Sequence, residues 1–235
     1  MCNITATMAK VVLGLGTSHN PLLSVPGELR EQYEERDRAN NSLYRIPDGK
    51  HVGYEERLSE ANPETHDKYV ARHNANPEGI GKLSRKIGDM DTDVIVKFGD
   101  DQSETLDHEQ MPAMALFWRG ELPDKRREAR VENDPTMEGA RELYGTEEMR
   151  CPVNSKLGKH MMQVRRLHEG QTMSHAFGFV WRRLMTNKVV PTIPIHINTD
   201  FPSNQPTPEP YLELDHAVRR AVESWNSGAT VAVLA

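Results

Sequence analysis

The chain has 235 residues, with 29 Lys and Arg against 35 Asp and Glu, for a formal charge of −6. That length is enough for one domain with a substantial core, and we expect a single catalytic-type domain over residues 1–235. No stretch approaches the ~18 consecutive apolar residues of a membrane-spanning helix, and the apolar run after Lys10 is too short for a secretory signal. The acidic balance and a 6% aromatic content argue against nucleic acid as the main partner. Cys2 and Cys151 cannot build a disulfide framework; they read as reduced thiols and point to a cytoplasmic protein.

In chain order, the first expected element is a buried strand over residues 9–16, with β-branched Val11 and Val12 opening into Gly14 and Gly16. Residues 27–41 are densely charged with Leu29 and Tyr33 four apart, which predicts an exposed helix. Pro47, Asp48-Gly49 and Gly53 are turn chemistry. Helix signals recur from Tyr54 to Ile87, with breaks expected at Asn62-Pro63 and Asn76-Pro77. Residues 92–98 are the clearest strand, stopping at Gly99-Asp100-Asp101, and 111–118 suit another. The polar stretch 120–150 reads as an excursion with a short helix, and 153–162 as a helix.

Residues 173–179 read as a loop of small and aromatic residues. The two prolines in 189–198 predict an edge or irregular strand. Residues 206–225 place Leu214, Ala217, Val218, Ala221, Val222 and Trp225 at helical spacing, capped by Gly228, and a last buried strand follows. Strands alternating with helices define an α/β fold with a layered central sheet flanked by helices. The chain stops at that last strand, so we expect it to be C-terminally incomplete.

Ligands in such sheets bind at the carboxyl ends of the strands. His19 follows the first strand and is pinned by Pro21. A neutral imidazole there could ligate a divalent metal or act as a base, or simply bond its own backbone. Asp100, Asp101 and Glu104 crowd one strand end beside Gln102, a hard-cation site or an ordinary solvated turn. His175 lies among small residues and two phenylalanines, against a planar ligand or in the core. His196, in an alternating strand, reads as structural. Gly14 and Gly16 offer a weak dinucleotide signal, since the third glycine is replaced by His19.

Taken together, the strand leading to Ser18-His19-Asn20-Pro21, then DVIVKFGDDQSE, SHAFGFVWRRLM and VVPTIPIHINTDFPSNQPTP, resemble class III extradiol ring-cleavage dioxygenases. That family is typified by the β subunit of protocatechuate 4,5-dioxygenase. The resemblance runs from Val11 to Ala235, and Asn198–Pro208 is its most specific segment. It implies the family's catalytic-domain fold and a mononuclear Fe(II) held by two histidines and a glutamate. A catechol-type diol and dioxygen would be the substrates, in aromatic-compound catabolism, with subunits that commonly pair.

By the resemblance His19 is the first iron-ligating histidine, and His175 is the catalytic histidine beside the substrate. The second ligating position falls at Gln102, a neutral amide and a poor Fe(II) ligand. Asp100, Asp101 and Glu104 are the carboxylates able to substitute by oxygen ligation. The family's Gly-Gly-x-Ser-His base and its glutamate ligand would lie beyond Ala235, and the stretch between Met162 and Arg165 is shorter than the family's. Two readings therefore stand beside each other: an Fe(II)-dependent extradiol dioxygenase, and a non-catalytic member that binds an aromatic ligand or a partner. A nucleotide-binding module ranks behind both.

Overall fold

The computed structural model describes residues 7–20, 23, 25, 27–41, 44, 45, 50–53, 66–101, 104–106, 111–124, 147–161, 173–186, 188–199, 201 and 204–235. In chain order the elements are β1 (Lys10–Leu15), α1 (Arg30–Ala39), β2 (Tyr44–Arg45), β3 (His51–Val52), α2 (His66–Asp89), β4 (Val94–Gly99), β5 (Met114–Leu116), β6 (Glu121–Asp124), β7 (Met149–Pro152), α3 (Ser155–Met161), α4 (His175–Phe179), β8 (Thr192–Ile197), α5 (Pro208–Glu223) and β9 (Thr230–Leu234). They divide into two compact units: Met1–His19, Leu83–Arg126 and Tyr144–Ala235 form the first, and Asn20–Lys82 with Arg127–Leu143 the second. No helix among the described residues is long and apolar enough to cross a membrane.

The first unit is built on a 5-stranded sheet in the order β1-β9-β4-β8-β5. β1, β9, β4 and β8 run parallel, and β5 closes the sheet antiparallel to β8. One face carries the core. Val94 and Val96 of β4, Ile193 and Ile195 of β8, and Val231 of β9 pack there with Leu214, Val218 and Val222 of α5 and with Leu157 and Met161 of α3. Each fully buried aliphatic contributes ~1.5–3 kcal/mol. Residues alternate sides along β4, so Lys97 and Gly99 face the other layer, where the Lys97 ammonium donates to the Phe177 carbonyl of α4 at 3.3 Å. Helices thus flank the sheet on both faces. Asn154 caps α3 by accepting from the Leu157 N–H at 3.0 Å.

In the second unit, the Arg30 guanidinium lies 4.7 Å over the Tyr69 ring, which stacks on His73 at 5.9 Å. β2 and β3 pair antiparallel, and Pro47 and Asp48-Gly49, expected to form a turn, lie outside the described residues. Helix α2 runs unbroken through Asn76-Pro77, where a break was expected. The less exposed positions Tyr69, His73, Asn76 and Ile80 of this unit alternate by four and three residues across the proline, and the same spacing continues in sequence to Leu83 and Ile87 of the first unit. Pro77 itself is exposed, so its ring sits off that stripe while the stripe carries the helix through.

Other sequence expectations are corrected by the sheet. β1 lies at its margin with Val11 43% exposed, because among the described residues β9 is the strand that pairs with it. β8, expected at an edge, lies between β4 and β5. Its Pro194 carbonyl accepts from Phe117 N at 3.0 Å, so the proline nitrogen also faces β5, just past the last β5 pair, where no donor is needed. The loop expected at 173–179 is instead α4 from His175, continued by a π-helical turn at Val180–Leu184.

The ends of the polar excursion are strands, with β6 paired to β7. Gly228 does not cap α5, which ends at Ser224. At φ 66° it forms a separate turn and donates to the Thr7 carbonyl at 2.6 Å. Cys2, Gln102, Asn62-Pro63, residues 125–146 of the polar stretch 120–150 in which a short helix was expected, and the stretch between Met162 and Arg165 lie outside the described residues.

Candidate metal centre

The parallel strands bring their carboxyl ends to one edge of the sheet, and the candidate residues gather there. β1 is tied to the end of β9 by Ala235 N to Leu15 O at 3.0 Å and Thr17 N to Ala235 O at 2.8 Å. These bonds anchor the turn that presents His19. Asp100 follows β4 directly. His175 opens α4, a helix brought close to β4 because Gly99 has no side chain: a Cβ there would lie 3.0 Å from the Phe177 ring and 3.1 Å from Ala176 Cβ.

His19 Nε2 stands 3.1 Å from Asp100 Oδ1, and the His19 and His175 rings meet edge-on with centroids 4.8 Å apart. One ligand atom from each of His19, Asp100 and His175 lies within 4.8 Å of the others, so this His/Asp/His group could hold a metal ion. Two imidazoles and a carboxylate are a donor set that suits a divalent first-row metal.

The three carboxylates that the sequence left equivalent have separate tasks. Asp101 is buried and staples its own loop, accepting from the Thr105 N–H at 3.1 Å, the Glu104 N–H and the Thr105 hydroxyl. That turn sets Glu104 beneath α4. Glu104 Oε2 accepts from His175 N at 2.6 Å and lies 3.0 Å from His175 Nδ1. One oxygen therefore caps the helix and orients the ring, the arrangement seen where a carboxylate supports a ligating or catalytic histidine. Ser174, at the N-cap position, instead donates to the Asp100 carbonyl at 3.0 Å. Thr199 Oγ1 reaches Asp100 Oδ2 at 3.4 Å from the far side.

The electrostatics follow. Burial raises the Asp100 carboxyl, but the hydrogen bond from His19 and the charges of His19 and His175 outweigh it, and the group is held below the usual carboxylate range. Burial opposes charge on His175, yet Glu104 close by, with Asp100 and Asp101 behind it, raises the imidazole above its usual value. His196, at the end of β8 opposite Gly99, is buried with both ring nitrogens lacking a partner among the described residues. Burial lowers its pKa, which Asp101 and Asp100 only partly oppose, so this imidazole is neutral.

Of the site residues named from sequence, His19 and His175 come together, and Asp100 joins them. Gln102, expected at the second ligand position, lies outside the described residues. Ser174 and Thr199 were missed, since a hydroxyl far along the chain carries no local signal that it will bond the Asp100 carbonyl or carboxylate. Asn198, the start of the most specific motif, holds the following turn by exchanging hydrogen bonds with Phe201, at 2.9 Å and 2.8 Å. Neither a family model nor a curated protein matches the chain.

Proposed function

We propose that the chain is an Fe(II)-dependent dioxygenase that cleaves a catechol-type ring beside its diol. The supporting observation is the meeting of His19, Asp100 and His175 at the carboxyl ends of parallel strands, in the order of the dioxygenase-like motifs. His19 and Asp100 would hold the metal, with Asp100 taking the part that the resemblance gave to position 102. When bound, Fe(II) would supply coordination sites for a catechol-type diol and dioxygen and a route for electron density between partners whose direct reaction is forbidden by spin.

The chain's own residues supply the rest. Asp100, kept ionised by its histidine neighbours, balances the cation's charge. Glu104 faces His175 Nδ1, so the lone pair available to a phenolic proton is on Nε2, and the raised pKa favours its transfer there. Thr199 contacts the Asp100 carboxylate and Ser174 holds the Asp100 backbone carbonyl, which together limit the reorganisation needed when a cation arrives.

The test is anaerobic loading with Fe(II), followed by a panel of catechols and dioxygen. Oxygen uptake with a yellow ring-opened product is expected. His19→Ala and Asp100→Ala lose the iron, whereas His175→Gln keeps it and loses turnover by ~10²-fold or more. An iron-loaded protein that takes up no oxygen with any catechol defeats the proposal, and aromatic binding without iron favours the non-catalytic reading.

A further inference from the structure

On the sheet face opposite α4, a cavity of about 380 Å³ opens between α3, α5 and strands β5 and β8. Its volume is near the lower end of the ~300–1,000 Å³ range of small-ligand sites. Leu116 of β5 and Ile195 of β8 line its floor, and Val218 of α5 lines a wall. His160, Arg220 and Ser224 also line it, adding a polar margin to the apolar interior.

Two of these polar groups satisfy each other. Ser224 Oγ donates to the Ala221 carbonyl at 3.1 Å, so in its 2.9 Å contact with His160 Nε2 the imidazole is the donor. Arg220 differs. Its helical neighbours three and four residues away are Ala217, His216, Glu223 and Ser224, and the one acid among them, Glu223, is taken by Arg219 at 2.9 Å. Among the described residues the Arg220 guanidinium has no hydrogen-bond or ion-pair partner. A permanently charged fork of donors thus stands at the margin of an apolar cavity.

We propose that this cavity binds a small organic acid with an apolar body, its carboxylate on Arg220 and its hydrocarbon on Leu116, Ile195 and Val218. The charge selects the anion and the apolar floor selects the body. The site is on the other face of the sheet from His175 and is independent of the reaction proposed above.

Isothermal titration calorimetry of the full chain with octanoate, octanol and octylammonium tests it. Octanoate is expected to bind, octanol about tenfold more weakly, and octylammonium not at all. Arg220→Gln weakens octanoate by about tenfold and leaves octanol unchanged, as expected for loss of a charge-assisted hydrogen bond. Ala217, an exposed cavity-lining residue, gives a second variant that leaves the core intact: Ala217→Trp covers the opening and abolishes binding of both. Absent octanoate binding, equal affinity for the three probes, or an Arg220→Gln variant that binds octanoate normally overturns the proposal. So does sedimentation showing a self-associating wild type that Ala217→Trp disperses while octanoate stays unbound, because a second copy would then cover this face.

Discussion

Lys97 occupies the middle of β4 between valine and phenylalanine, and its side chain is fully buried. Burial lowers its pKa from 10.5 to about 8, with Cys151 and Asp124 offsetting part of the effect. The unfolded chain keeps this proton up to pH 10.5 while the folded chain releases it near 8. In that window the unfolded state binds more protons, so this residue's contribution to stability rises with pH and is least favourable below pH 8. Lys97→Met removes the buried charge. At pH 7 the variant is expected to be more stable by about 2 kcal/mol, after about 1 kcal/mol is subtracted for the lost bond to the Phe177 carbonyl. That advantage disappears by pH ~10.5, which urea unfolding at the two pH values measures. The same burial pushes the neighbouring Cys151 thiol up to about 12, so it stays protonated and unreactive at neutral pH.

Elements meet here through small residues at fixed points. Gly158 lets α3 approach Trp118 so closely that a Cβ would stand 2.7 Å from Trp118 Cβ and 3.2 Å from its Cα. Neither neighbour is the flexible end of a side chain. Gly158→Ala is therefore expected to cost about 1–3 kcal/mol in thermal or chemical unfolding. Gly120→Ala is the control, since nothing lies within 4 Å of a Cβ there, and it should change stability by less than ~0.5 kcal/mol. Helix α5 was legible in the sequence because Leu214, Val218 and Val222 repeat at the helical period and are the residues it buries. β8 was less so. Pro191 and Pro194 argue for an edge or irregular strand, and the brevity of β5 makes Pro194, the one proline within β8, tolerable.

For the whole molecule, the donors come from three distant points of the chain: after β1, after β4, and at the start of α4. A cation on His19 and Asp100, as proposed above, would tie the ends of β1 and β4 together and bind the folded state alone. At metal about a hundredfold above its Kd this adds ~2.7 kcal/mol, which for a chain of this size raises Tm by about 5–10 °C in an anaerobic melt. A chelator reverses the shift, and Asp100→Ala abolishes it. An unchanged Tm in the wild type with Fe(II), Mn(II) and Co(II) counts against a metal centre here.

The sequence by itself determined the α/β alternation, the strand expected at 92–98 and found at 94–99, the last strand from residue 230, and the candidacy of His19 and His175, because hydrophobic period, turn chemistry and short motifs are local properties. Only the tertiary structure decided which carboxylate joins the two imidazoles. Asp100, Asp101 and Glu104 are chemically equivalent when read in line, and they diverge through their partners: Thr199 contacts the carboxylate of the first while Ser174 holds its backbone carbonyl, a local turn consumes the second, and His175 claims the third. Hydrogen bonds between residues some seventy to a hundred positions apart are set by strand order, which no nearby residue encodes.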